Sequence, residues 1–357
     1  MERHLVVDLS GHGYGHAAMT IPILNALRRD WPGLRLTIRT TVPRAWLVER
    51  LTGNFDYASH ADFGMVMADA VHVVPNESAF AYWCRHSDWD DTLSHATTNL
   101  ASLKPSLLLS NIPYLSLAAA HRAGIPAVAL GSNNWADIYR RYCKQFVGAQ
   151  KIQKVMVEAY ASAQTFLQVT PSMAMPSICN GRRVGPVASL GQDRRSELRR
   201  QLGLEADQII ALLALGGVPI ELPIAHWPRL GNLRLVLAST LSVSHPDVAM
   251  ASSLNFPFLD LVRSCDVVIS KTAYALCMEA ACSGVPMLLV SRQEWPEEAP
   301  LRKWLVRHGR FLTLTEEKLK SGEFLAEIQF VRSIPSPPIP APSGVMEVAT
   351  ILRDVLA

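Results

Sequence analysis

HLVVDLSGHGYGHA, residues 4–17, decides how the rest of the chain is read. His4 to Leu9 is the kind of apolar run that a strand buried on both faces requires. Ala17 to Arg29 reads as the helix that follows. Between them Gly11, Gly13 and Gly15 alternate with His12, Tyr14 and His16. Alternating glycines let a backbone turn sharply and come close to a ligand. The helix start adds backbone N–H groups and the positive end of the helix dipole, which suit an anion. A bare phosphate loop needs no imidazole, so His12 and His16, which can titrate near neutral pH, point to chemistry as well as binding.

A chain of 357 residues exceeds one ordinary core, so two domains are expected. With 49% hydrophobic and 18% charged residues it is a well-buried globular protein, not a disordered one. A net charge of +3 is too mild for a nucleic-acid binder, and Arg194-Arg195 with Arg199-Arg200 reads as a solvated helix face. Six cysteines without CxxC spacing read as reduced, mostly packed thiols of a cytoplasmic protein. The first apolar run is too short for a signal peptide. Asn111, Pro113, His121, Arg122 and Pro126 break the apolar stretch 106–130 into strand, helix and strand, so at most peripheral membrane contact is expected.

Strand-like and helical runs alternate throughout, the pattern of an α/β protein with parallel sheets. Expected strands in the first half are 4–9, 35–40, 107–110, 127–130 and 166–168. Gly181–Pro186 reads as the link to a second set, with strands at 209–215, 233–238, 267–270 and 287–290. The expected division is a Rossmann-like domain over 1–186 and another over 187–333. A proline-rich strap and last helix, 334–357, then cross back.

Asp266 to Arg292, DVVISKTAYALCMEAACSGVPMLLVSR, is the second informative stretch. A strand ending at Ser270 leads to a helix expected from Thr272, capped by Ser270 or Thr272. Its first-turn N–H groups would lie beyond the strand's carboxyl end, where open α/β sheets bind ligands. Glu279, seven residues on from Thr272, shares its helix face and could accept from ribose hydroxyls, or could simply be a surface glutamate. Gly216-Gly217 ends a strand and either admits a phosphate or makes a plain turn. Glu297 and Glu298 lie in a loop that could bind sugar hydroxyls or merely be solvated. Asp88-Trp89-Asp90-Asp91 offers a DxD pair, but acidic residues are favourable at a helix start, so no metal is expected there. The chain lacks the nicotinamide-binding fingerprint, because the glycines are spaced GxGxG and the second strand ends Ile38-Arg39-Thr40-Thr41 without a carboxylate.

The order of these stretches resembles that of GT-B glycosyltransferases. The chain is similar to the N-terminal glycosyltransferase-like half of plant L-arabinokinase at GHGYGHA (11–17), ADAVHV (68–73), NNWADIY (133–139), DLVRSCDVVISK (260–271) and EWPEEAPLRKWL (294–305). More distantly it resembles the lipid-linked N-acetylglucosaminyltransferase of peptidoglycan synthesis. The resemblance implies two Rossmann-like domains facing a cleft and a nucleotide-sugar donor, most simply a UDP-sugar, with no other cofactor. Glu279 would hold the ribose. Ser270, the Lys271, Thr272, Ala273 and Tyr274 backbone, and Gly216-Gly217 would meet the diphosphate. Glu297 and Glu298 would touch the donor sugar, and Phe258 in the 255–259 loop would flank the base. Gly13 and Gly15 would close over the diphosphate. His16, or secondarily His12, would serve as base toward a hydroxyl acceptor on the N-terminal domain. The aromatic segments 133–142 and 83–89 could form a wall for that acceptor, though residues at such spacing more often pack in the core.

Two departures stand out. Ala273-Tyr274-Ala275 replaces a Gly-Tyr-Gly, which puts methyl groups where phosphate oxygens would approach, and Met19 replaces an arginine. A nucleotide-sugar 2-epimerase, or a binding protein without catalysis, would share the fold.

Overall fold

The computed structural model describes residues 3–60, 62, 64–69, 71–216, 222–239, 243–292 and 294–357. The chain divides into two compact units. The first comprises 1–68, 73–187 and 343–357, and the second 69–72 and 188–342. The strap 334–342 thus clusters with the second unit, and only the last helix joins the first.

In the first unit the strands are β1 (His4–Leu9), β2 (Arg35–Arg39), β3 (Asp56–Ala58), β4 (Leu107–Asn111), β5 (Ala127–Gly131), β6 (Thr165–Val169) and β7 (Gly181–Val184). They form one sheet in the order β3-β2-β1-β4-β5-β6-β7, and every pairing is parallel. β1, β4 and β5 are buried along their whole length, as continuous apolar runs in a doubly covered sheet must be. Two strands escape the hydropathy pattern. β3 is three residues long and mostly exposed, and β7, GRRV, is a charged edge strand instead of the expected linker. Charge on an edge discourages pairing with another chain.

The second unit carries β8 (Ile209–Leu213), β9 (Leu233–Leu237), β10 (Val248–Met250), β11 (Val267–Lys271), β12 (Met287–Val290) and β13 (Phe311–Leu314), in the parallel order β10-β9-β8-β11-β12-β13. Leu213, Leu235, Ile269 and Leu288 meet Trp227, Phe324 and Ile328 in its core.

In both sheets the order reverses at one place, between β1 and β4 and between β8 and β11. Successive right-handed crossovers leave in opposite directions from such a point, so the loops beyond the carboxyl ends part and leave a crevice. The two stretches singled out in the sequence follow β1 and β11.

The helix Gly344–Leu356 closes the first unit by packing on the helix Gly15–Asp30. Its first residue touches backbone. A Cβ on Gly344 would lie 2.2 Å from the Gly185 carbonyl oxygen, while the Gly344 N–H donates to Pro186 O at 2.9 Å and Glu347 Oε2 accepts from Gly185 N. Gly344→Ala is therefore expected to push the helix outward and cost about 1–3 kcal/mol, read from the urea midpoint at unchanged m-value. An unshifted midpoint would show that the docking carries no weight.

Candidate functional site

In the first unit the helix begins at Gly15, two residues before the sequence pattern indicates, so His16 stands in its first turn. Gly13 adopts φ +77°, a conformation that favours glycine, and sets the turn into that helix. Tyr14 precedes the helix, stacks on Trp46 at 5.1 Å and gives it no side-chain cap.

His16 is buried, and its neighbours fix its tautomer. Thr20 Oγ1 donates to His16 O at 2.9 Å and so must accept from Asn111 Nδ2, also at 2.9 Å. That orientation turns Asn111 Oδ1 toward His16 Nδ1, 2.8 Å away, so Nδ1 carries a proton, and in the neutral ring the lone pair is on Nε2. Asn111 ends β4, directly across the crossover from β1. The buried Met19 packs its sulfur 3.4 Å from Asn111 Nδ2.

The floor of this loop is Trp135, fully buried. Its indole lies edge-on to His12 at 5.3 Å and tilted to His16 at 6.1 Å. Asn134 caps the Trp135 helix by accepting from Asp137 N at 2.8 Å. Trp135, Ile138 and Tyr139 are thus core residues, which is the packing alternative for 133–142 and not the acceptor wall. In the other expected wall, Trp83 is exposed and stacks on Phe80, while Asp90 and Asp91 lie in the first turn of the helix Trp89–Ser102. His86 is stacked on Trp89 and bonded to Tyr114 Oη at 2.9 Å, and burial pulls its pKa down to about 4.

Several polar residues here carry no sequence motif. Asp8, fully buried at the end of β1, is held by Arg39 at the end of β2, Nε to Oδ1 at 2.6 Å. His60 Nε2 lies 3.9 Å from Asp8 Oδ2, and burial lowers the His60 pKa. Asp62 accepts from Trp135 Nε1 at 3.2 Å, and burial raises its pKa to about 6 against hydrogen bonds from Ser10 and Trp135. Gly64 makes this approach possible, since a Cβ there would sit 2.5 Å from the Trp135 ring and 2.8 Å from His12 Nδ1. An Asp inside the apolar run HLVVDL was the one visible signal of this cluster.

In the second unit the helix after β11 is Tyr274–Cys282, with Ala273 at its N-cap and no side-chain cap. The expected caps are engaged elsewhere. Ser270 Oγ donates to Ala214 O at 2.7 Å and Thr272 Oγ1 to Val290 O at 3.1 Å, tying β11 to the ends of its neighbours. Thr272 therefore lies before the helix, and Glu279 is a buried residue of its second turn, not a partner on one face with Thr272. Lys271 ends β11 beside Gly216, whose φ of +89° requires glycine. Gly217 lies outside the described residues. Phe258 opens the helix Phe258–Ser264.

Glu298 accepts from Ser291 Oγ at 2.7 Å and from Arg292 N at 2.5 Å, so both oxygens brace their own loop. Glu297 Oε2 accepts from Trp295 Nε1 at 2.8 Å. These bonds give both carboxylates local structural work. No helix among the described residues is long and apolar enough to cross a membrane.

The fold is that of GT-B glycosyltransferases. The calicheamicin glycosyltransferase superposes with a TM-score of 0.61 at 15% identity, over 100% of this chain and 99% of that one. A Medicago truncatula protein complexed with UDP-glucose gives 0.61 at 11% identity, over 100% and 99%. A putative UDP-N-acetylglucosamine 2-epimerase from Listeria monocytogenes gives 0.59 at 10% identity, over 99% and 96%. In sequence, the chain is 25% identical to L-arabinokinase of Arabidopsis thaliana over 339 residues, 90% of this chain and 32% of the other. The chain therefore spans about a third of that relative's length. No known family profile matches the chain.

Asp62 gives this region a pH signature. Its folded-state pKa, about 6, stands above the ordinary carboxylate value of 3.8, so the folded protein holds the proton more tightly. That contribution is complete below about pH 4 and is lost as pH rises through about 6. Asp62→Asn should stabilise the protein at pH 7 and give no gain at pH 4, measured by paired urea titrations. Equal effects at both pH values would refute the raised pKa.

Proposed function

We propose that this chain is a metal-independent glycosyltransferase that moves a sugar from a nucleotide-sugar, a UDP-sugar, to a hydroxyl acceptor with inversion. The observation that carries the reading is the tautomer of His16, which puts a lone pair on Nε2 in a glycine-rich loop at the first sheet's crossover. In this reading the acceptor hydroxyl loses its proton to His16 Nε2 as its oxygen bonds to the anomeric carbon. The bond from that carbon to the diphosphate breaks, and the nucleoside diphosphate leaves. Asn111 keeps Nδ1–H in place throughout.

The donor would lie on the second unit. Glu279 would accept from the ribose hydroxyls, Phe258 would flank the base, and the backbone from Ser270 to Tyr274 with Gly216 would face the diphosphate. In place of a divalent cation, the backbone N–H groups at the helix start at Tyr274 would stabilise the negative charge of the leaving diphosphate. The hydrogen bonds of Glu297 and Glu298 make them better suited to shaping the loop beside the donor sugar than to gripping it.

Incubation with a panel of UDP-sugars tests the reading. Release of UDP that depends on an added hydroxyl compound supports transfer, whereas isomerised sugar without an acceptor replaces transfer by 2-epimerisation. His16→Ala should lower kcat at least about 100-fold with nucleotide affinity unchanged, the loss expected for a general base. Full turnover in that variant would overturn the assignment. Glu279→Ala should weaken UDP binding about tenfold or more, consistent with losing hydrogen bonds to a charged group. Unchanged UDP affinity by calorimetry would remove Glu279 from the site.

A further inference from the structure

The amino edge of the first sheet, at the far end of its strands from the Gly11–His16 loop, carries a groove of about 620 Å³. A crossover must return its chain to that edge, so the last turn of the helix Gly15–Asp30 comes beside the start of β2 and the entry to β3. Arg28 and Arg29 line the groove from the helix, Arg35 from β2, and Phe55 and Asp56 from the entry to β3. Its volume falls within the roughly 300–1,000 Å³ of small-molecule sites. Arg28 stands about 18 Å along the helix from His16, so the groove is separate from the candidate site.

The charges of this groove do not cancel. Arg28 donates through Nη1 to Thr52 O at 2.5 Å and through Nη2 to Asn54 O, so neutral carbonyls pin its guanidinium. Gly53, at φ +75°, lets the loop come this close, since a Cβ there would lie 3.1 Å from Arg28 Nη1. Arg29 reaches Met346 Sδ at 4.0 Å. The ion pairs of the region join Arg35 to Asp56 at 3.1 Å and Arg353 to Asp30 at 3.7 Å, and among the described residues neither Arg28 nor Arg29 has one. Burial pulls the Arg28 pKa down, yet a guanidinium stays charged at any working pH. Three arginines thus face the groove against one aspartate. Cations are favourable in the last turn of a helix, which accounts for the place of Arg28 and Arg29. It does not account for pinning Arg28 to a loop, 52–54, that offers no acid.

We infer that this groove binds a polyphosphate anion, free or carried by a nucleotide, on Arg28, Arg29 and Arg35. After its two carbonyl bonds Arg28 keeps one N–H on each of Nη1 and Nη2, a fork that fits phosphate oxygens. A single phosphate is much smaller than the groove and occupies one guanidinium, whereas a chain of phosphates reaches guanidinia on the helix and on β2 together. Arg44, whose guanidinium lies 5.6 Å from the centre of the Phe55 ring, adds positive charge beside the groove. Asp56 opposes the anion, but its pair with Arg35 is exposed, and such pairs contribute little. The site does not depend on the chain being a glycosyltransferase.

Calorimetry of the whole chain with inorganic tripolyphosphate, and in parallel with ATP, tests the site. Arg28→Gln should weaken tripolyphosphate binding about tenfold or more, the loss expected for a charge-assisted hydrogen bond. Arg29→Gln, at an exposed position, should weaken it about fivefold through lost charge alone. Asp56→Asn should tighten it about fivefold, a gain that a misfolded variant cannot imitate. ATP that binds more tightly than tripolyphosphate and is lost in the same arginine variants assigns the groove to a nucleotide. ATP that binds equally or less tightly assigns it to a free polyphosphate. No tripolyphosphate binding, or binding that none of the three variants changes, overturns the inference. A loss confined to Arg28→Gln, with Arg29→Gln and Asp56→Asn unchanged, marks a folding defect and overturns it as well.

Discussion

A parallel sheet cannot return its chain through a hairpin, and that constraint organises everything functional in this protein. Each strand must be followed by a crossover on one face, and the crossovers are right-handed. Where the strand order reverses, two adjacent loops are drawn apart, and the backbone groups at the strand ends and helix starts face the gap. The first sheet puts Gly11–His16 and Asn111 on either side of such a gap, and the second puts Gly216 and Lys271 there. The candidate side chains stand where they do because the apolar strands beneath them cannot be wound otherwise.

The histidine loop shows what this geometry demands of its neighbours. A histidine oriented by a carboxylate gains a counter-charge for its protonated form. His16 is oriented by an amide, which fixes the tautomer but contributes no charge. Negative charge is present in the same region, yet Asp8 is committed to Arg39, and Asp62, half-buried against Trp135, holds its proton up to about pH 6. A neutral imidazole is the form a general base needs before it acts.

The long apolar strands and the two glycine-bearing turns were legible from sequence because burial on both faces leaves an unbroken hydrophobic signal. The edge strands β3, β7, β10 and β13 were not, since three or four residues partly facing solvent carry almost no pattern. Helix starts were misplaced for another reason. Ser270 and Thr272 look like caps, but their hydroxyls bond to carbonyls at the ends of neighbouring strands, a choice set by residues far away in sequence. Trp135 presents the same difficulty in reverse. Its surroundings, NNWADIY, leave acceptor wall and core packing both open, while its burial depends on Gly64 leaving room for the ring.

The alanines at 273 and 275 bear on how the second unit would hold an anion. Ala273 lies at φ −144° and ψ 141°, extended backbone open to any residue, and Ala275 lies within a helix, where alanine is favoured over glycine by about 0.5–1 kcal/mol. Neither position needs glycine for the fold, so alanine there costs no backbone strain. Its only penalty is the methyl, which keeps a phosphate slightly farther from the N–H groups of the turn. Charge is less sensitive than a hydrogen bond to such a displacement, because Coulombic attraction falls as the inverse of distance while hydrogen bonding weakens steeply with distance and angle. A site that gives up close backbone contact must rely more on full charges than on hydrogen bonds from the turn.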